Sequence, residues 1–146
     1  GIRVPAMISW PGKLPAGEVR SQMATACDWM PTIADLAGVE RPARKLDGRS
    51  IAKMIQSSEA DSPHKQFHWQ SGGGRNPQWA VRDGDWKLIG NPRDTSNKAP
   101  VGKGDARFLV NLADDVSEME NLAGDNPEIV SRLEKLHDAW VKNASK

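Results

Sequence analysis

Trp79-Ala80-Val81-Arg82-Asp83-Gly84-Asp85-Trp86-Lys87-Leu88-Ile89 is the stretch whose reading decides the fold. Two short runs rich in apolar, aromatic and β-branched side chains flank Asp83-Gly84-Asp85, where glycine accepts the positive φ of a tight turn. The pattern predicts a hairpin with strands over Trp79–Arg82 and Trp86–Ile89. Further strand-like runs at Gln66–Gln70 and Arg107–Leu112 enlarge it to a small antiparallel sheet. Between the third and fourth runs, residues 90–104 are rich in Asn, Pro, Lys and Gly and read as an exposed loop.

The sheet needs a cover, and the end of the chain supplies one. Asn126 can cap a helix, Pro127 suits its first position and Glu128 complements its dipole. Ile129, Leu133, Leu136 and Trp140 then form an apolar stripe down one face. On this reading His137 lies on the polar side of the helix, in solvent.

Upstream of the sheet the pattern changes. Residues 2–10 read as a buried strand that ends at the Pro11-Gly12 turn and is already under way at Gly1, as in a chain cut from a longer one. A helix follows, with Asp28 as N-cap, Trp29, Met30, Ile33, Leu36 and Ala37 on one face, and Gly38 and Pro42 as stops. A weakly amphipathic stretch reaches Gln56, and the polar run Ser57 to Pro63 reads as a linker. The expected division is 1–63 and 64–146.

Composition excludes several classes of function. The chain has 146 residues and a formal net charge of +1, from 20 basic and 19 acidic side chains spread along it. It therefore presents no field that would draw it to nucleic acid. No apolar run approaches the roughly 20 residues of a membrane span. Neither nucleic acid nor membrane is an expected partner. A single cysteine, Cys27, permits no internal disulfide and no multi-cysteine zinc site.

Residues that could carry chemistry fail their own tests. His64 and His68 have the spacing of a zinc-protease pair, but Lys65 stands where the general-base glutamate would be and the surroundings are strand-like. Ser71-Gly72-Gly73-Gly74-Arg75 lacks the phosphate-loop and dinucleotide patterns. Asp114, Asp115, Glu118 and Glu120 do not have calcium-loop spacing. Cys27, beside an apolar helix and without a local basic partner, reads as a small core residue. The residues themselves thus indicate no catalytic group and no metal site.

Taken in order, four blocks resemble the type I sulfatase (arylsulfatase-like) family. They are Gly1-Ile2-Arg3-Val4-Pro5 with Trp10-Pro11-Gly12; Asp28-Trp29-Met30-Pro31-Thr32-Ile33-Ala34-Asp35-Leu36-Ala37-Gly38; Leu46-Asp47-Gly48-Arg49-Ser50; and the hairpin at 80–89 followed by Phe108-Leu109-Val110-Asn111-Leu112, Glu118 and Asn121-Leu122-Ala123. The resemblance runs from Gly1 to about Trp140.

It implies an α/β, alkaline-phosphatase-like sulfatase fold. This chain would supply an edge strand and helix of the large domain, then a small antiparallel sheet packed by a C-terminal helix. In the family, a Cys or Ser within C/S-x-P-x-R becomes formylglycine, and a divalent cation, usually calcium, holds the sulfate oxygens. Cys27 has neither the Pro nor the Arg of that motif, so calcium and formylglycine are implied for a complete enzyme and not for this segment. The implied partners are the remainder of a sulfatase chain and, through it, a sulfated small molecule or polysaccharide. The implied compartments are periplasmic, secreted or lysosomal. By position in the subdomain, His68, Trp69 and Arg75 are the candidates for contacting substrate. The competing reading is a non-enzymatic module that binds carbohydrate or protein through its tryptophans and Gly-rich loop.

Overall fold

A computed structural model describes residues 3–94, 101–102 and 104–144 of the protein. Of the loop expected over 90–104, residues 95–100 and 103 lie outside the described residues. The chain divides into two compact units, Gly1–His64 and Lys65–Lys146.

The first unit is helical where its apolar periodicity is helical. A 3-10 turn at Ala26–Asp28 runs into α1 (Trp29–Ala37), and α2 (Ala52–Gln56) follows after a long connection. Gly38 ends α1 in the left-handed conformation, φ 67°, and Val39 N–H reaches back to Ala34 O at 2.9 Å. This is the C-terminal motif that glycine favours. Helix α2 is tied to the segment before α1, since Arg20 Nε donates to Met54 O at 2.9 Å.

Two expectations are corrected here and a third is sharpened. Residues 3–10 form no strand: Val4 is 73% and Met7 92% exposed, and no ladder involves them. A strand exists through hydrogen bonds to a neighbour, and none is paired with this segment among the described residues. Asp28 holds the N-cap position of α1 as expected, but in helical conformation at the end of the 3-10 turn and without a side-chain cap bond; its carboxylate accepts Thr25 N–H instead. Cys27 is exposed rather than buried, because the three-residue turn directs Asp28 inward in its place.

The second unit is the expected four-stranded antiparallel sheet under a helix. Its strands are β1 (Gln66–Ser71), β2 (Gln78–Asp83), β3 (Trp86–Gly90) and β4 (Arg107–Asn111), in the order β1-β2-β3-β4. Asp83 pairs with Trp86 across a two-residue turn in which Gly84 has φ 61°. Because side chains alternate, His68, Val81, Leu88 and Leu109 align across one face, while Trp69, Ala80, Ile89 and Phe108 align across the other.

Helix α3 (Pro127–Ala144) lies on the first of these faces. Val81, Leu88, Leu109 and Leu133 are fully buried there, with Ile129, Val130 and Leu136 packed around them. Each such side chain contributes on the order of 1.5–3 kcal/mol by leaving water. Arg132 pairs with Asp83, and Arg107 Nε donates to Glu134 at 2.5 Å, so ion pairs join the helix to β2 and β4.

The outer edge of β4 is covered by a side chain. Asn121 Oδ1 accepts Leu109 N–H at 3.0 Å and its Nδ2 donates to Arg107 O at 3.1 Å, while Leu122 N–H bonds Leu109 O at 2.8 Å. Asn121 thus does the work of a fifth strand along an edge that would otherwise stay open. The loop leading to it is closed by Asp115, whose carboxylate accepts the N–H groups of Met119 and Glu120. It is anchored by Glu118, whose two oxygens lie 2.5 and 2.6 Å from Lys87 Nζ.

Candidate functional site

In the first unit, chemistry-bearing groups meet at Asp28. Its side chain is fully buried and accepts Thr25 N–H, Arg49 N–H and the His64 Nε2 hydrogen, each at 2.8 Å. Thr32 Oγ1 donates to Asp28 O at 2.6 Å and itself accepts Ile51 N–H at 3.0 Å. Gly48 lies so close to the start of α1 that a Cβ there would stand 1.9 Å from Cys27 O. Sequence reading missed this junction. The signal was the succession Asp28, Thr32, Gly48: a buried acid, a hydroxyl one helical turn on and a glycine that allows close backbone approach.

An Asp–His pair can hold an imidazole for general-base work, but here every acceptor position of the acid serves the fold. Its partners are two backbone N–H groups and the His64 ring, from three separate segments. The arrangement joins these segments at one buried carboxylate.

In the second unit a cleft of about 450 Å³ opens where α3 crosses the end of the sheet. It is lined by Gln70, Arg75, Trp79, Arg107, Glu134 and His137, among others. Trp79 is its floor. The His137 ring stacks on the indole at 4.0 Å between centroids and 9° between planes, and the Arg107 guanidinium stands 5.2 Å from its centre. Asn91 Nδ2 donates to Pro77 O at 2.9 Å, and Arg93 donates to Asn76 O at 3.1 Å. Those two bonds steady the return of the Gly72–Asn76 loop to β2.

His137 is thus corrected from a solvated residue to a buried one, 5% exposed. It lies one i+4 step from Leu133, which is how the sequence would have placed it against the sheet. Burial pushes its imidazole below the ordinary range; the Arg107 charge adds to that and the Asp138 carboxylate opposes it. His68 is pushed down in the same way, first by burial and then by His137.

The structure does not gather the three candidate substrate residues. His68 packs flat against Trp140, centroids 5.2 Å apart and planes 2° apart. Trp69 belongs to the opposite face, against Phe67 at 4.8 Å. Arg75 alone reaches the cleft, exposed at its rim.

A resident metal or formylglycine does not fit this chain's residues. Among the described residues no three His, Cys, Asp or Glu side chains come together as a metal site. The acidic turn is internally employed: Asp114 bonds Asn111, Asp115 caps its loop and Glu118 holds Lys87. Nor, among the described residues, is any helix long and apolar enough to cross a membrane.

Residues 1–145 match the family described as N-sulphoglucosamine sulphohydrolase, C-terminal. Human arylsulfatase D is 38% identical over 92 residues, which are 60% of this chain and 16% of that protein. A sulfatase of Formosa agariphila is 30% identical over 163 aligned positions, 98% of this chain and 28% of that protein. A protein solved in complex with its substrate D-glucosamine-2-N,6-O-disulfate superposes with a TM-score of 0.66 at 21% identity, over 91% of this chain and 27% of that one. The chain thus spans less than a third of the length of each.

Proposed function

The chain belongs to the sulfatases, as a member of the N-sulphoglucosamine sulphohydrolase C-terminal family, and from that premise we propose that it completes and shapes an enzyme that hydrolyses sulfate esters. Its small open antiparallel sheet with flanking helices is that of the alkaline-phosphatase-like sulfatase fold. The reaction itself is assigned to the remainder of a sulfatase chain, which would bring the formylglycine and the divalent cation. The observation that carries this reading is the uncovered apolar surface of the first unit. Val4, Met7, Val19, Ile33 and Val39 are between 56% and 92% exposed, in a segment whose relatives are three or more times longer. In this proposal these side chains are where the remainder of a sulfatase chain packs.

The test is a hybrid in which this chain replaces the matching segment of the Formosa sulfatase. The hybrid is expected to hydrolyse an aryl sulfate, and the purified 146-residue chain to show no turnover. Turnover by the isolated chain, or a soluble hybrid no more active than a version cut before the segment, would reject the proposal.

Within that enzyme the proposed substrate contacts are ranked by geometry. Among the described residues Arg75 forms no ion pair; it stands exposed on a glycine-rich loop at a cleft rim, suited to an anionic group of a sulfated saccharide. His68 and Trp69 are engaged in packing. A hydrogen bond to a charged partner contributes about 1.5–3 kcal/mol. Arg75→Ala in the hybrid is therefore expected to raise KM for a sulfated oligosaccharide roughly tenfold while leaving turnover of a small aryl sulfate unchanged. An unchanged KM would remove Arg75 from the site.

A further inference from the structure

His68 on β1 and His137 on α3 are neighbours, with ring centroids 6.1 Å apart, and the Nδ1 atom of each is buried without a hydrogen-bond partner among the described residues. Buried polar atoms are nearly always paired, so two orphans in contact within one cluster call for a physical reason. The rings belong to a continuous aromatic stack. Trp79 carries His137, and Trp140 lies flat on His68 and 5.8 Å from His137. Among the described residues this stack lies at the last turns of α3, beyond the leucine core that ends at Leu136 and the ion pairs made by Arg132 and Glu134, with Val141 beside it in the cleft.

We propose that the His68–His137 pair is an acid-triggered release for the C-terminal end of α3, which docks while both rings are neutral and lifts from the sheet when they take up protons, opening the cleft floored by Trp79.

The surroundings favour the neutral rings. From β4, Arg107 faces His137; from the loop after β1, Arg75 stands at the same cleft; from β1, His68 is itself a base. The β2 and β3 positions beneath are Trp79, Val81, Leu88 and Gly90, which carry no charge. On α3, Glu134 is taken by Arg107, leaving the exposed Asp138, whose attraction for a His137 cation outweighs the Arg107 repulsion but not the cost of burial. An imidazolium gains some attraction to the indole faces, but this is smaller than the hydration it loses in a buried site. Two such cations cannot sit together beside Arg107.

The direction of the pH effect follows. Each ring binds its proton more weakly in the fold than in the unfolded chain. The stability given by the neutral rings is complete above the ordinary histidine value of 6.5 and is lost as pH falls through the lower folded values.

The experiment is hydrogen exchange of the whole chain at about pH 7.5 and about pH 5, corrected for intrinsic rates, on the wild type, on His68→Phe and on His137→Phe. Amides of residues 137–144 are expected to lose protection at the lower pH, while those of β2 and β3 keep theirs. Phenylalanine keeps the stacking and cannot titrate, so each variant should lose part of the acid effect. Equal protection at both pH values, equal acid loss in both variants, or acid unfolding of the whole sheet would overturn the proposal. Should a variant fail to fold, NMR titration of the wild-type rings decides. Both must titrate below 6.5; a ring titrating at or above that value overturns it.

Discussion

Asp28→Ala is expected to cost the first unit about 3–5 kcal/mol, because it strips the acceptor from Thr25 N–H, Arg49 N–H and the His64 ring in one step. A buried donor left unpaired costs roughly 1–3 kcal/mol, and water entering the space recovers part of the sum. Against a total stability on the order of 5–15 kcal/mol, that loss is large. Asp28→Asn retains one acceptor oxygen and should lose about half as much. The measurement is chemical denaturation of the chain or of the sulfatase hybrid, with hydrogen exchange at Arg49 and Ile51 as the local reporter. A change below about 0.5 kcal/mol, the range of neutral surface substitutions, would show that the junction does not hold the unit together.

The same residue shows what kind of information the sequence carried. The blocks that led to the family are, in this chain, blocks of architecture. Asp28, Thr32 and Gly48 lock the start of α1 to the turn at 48–51. Lys87 and Glu118 pin the loop after β4, and Asn121 finishes the edge of the sheet. The hairpin at Asp83-Gly84-Asp85 and the helix from Pro127 were legible because each rests on local rules: turn chemistry, strand alternation, a cap and an i, i+4 stripe.

What escaped the sequence was non-local. Residues 3–10 have the composition of a buried strand, yet a strand is a relation to a neighbour, and composition names no neighbour. Asp28 is suited to capping α1, but the backbone makes a 3-10 turn first and turns the carboxylate toward segments 21 and 36 residues away. The candidate cleft was legible only through Arg75. Trp79, Arg107 and Glu134 come together across β2, β4 and α3, a conjunction that pairing register creates and spacing does not announce. His68 and Trp69, adjacent in sequence, are separated by the alternation of β1.

Gly90→Ala is the substitution expected to reach furthest into that cleft. The reason is close approach, not backbone freedom. A Cβ at position 90 would lie 2.0 Å from Trp79 Cε2 and 2.3 Å from both Cζ2 and Nε1, inside the ring. The indole can give way only by disturbing its neighbours, since His137 is stacked on it at 4.0 Å and the Arg107 guanidinium stands 5.2 Å from its centre. Overpacking usually costs 1–3 kcal/mol, and a blocked aromatic ring puts this one at about 3 kcal/mol or more. The displaced ring would take His137 with it and loosen the end of α3 at neutral pH. Gly90→Ala should therefore lower the denaturation midpoint of the second unit, flatten its near-UV tryptophan signal and reduce protection of residues 137–144 without any help from acid. The acid step of the wild type should be absent from this variant, because the stack it would break is already broken. A variant with wild-type stability and an intact acid step would mean that Trp79 does not seat His137, and the floor of the cleft would have to be assigned to another side chain.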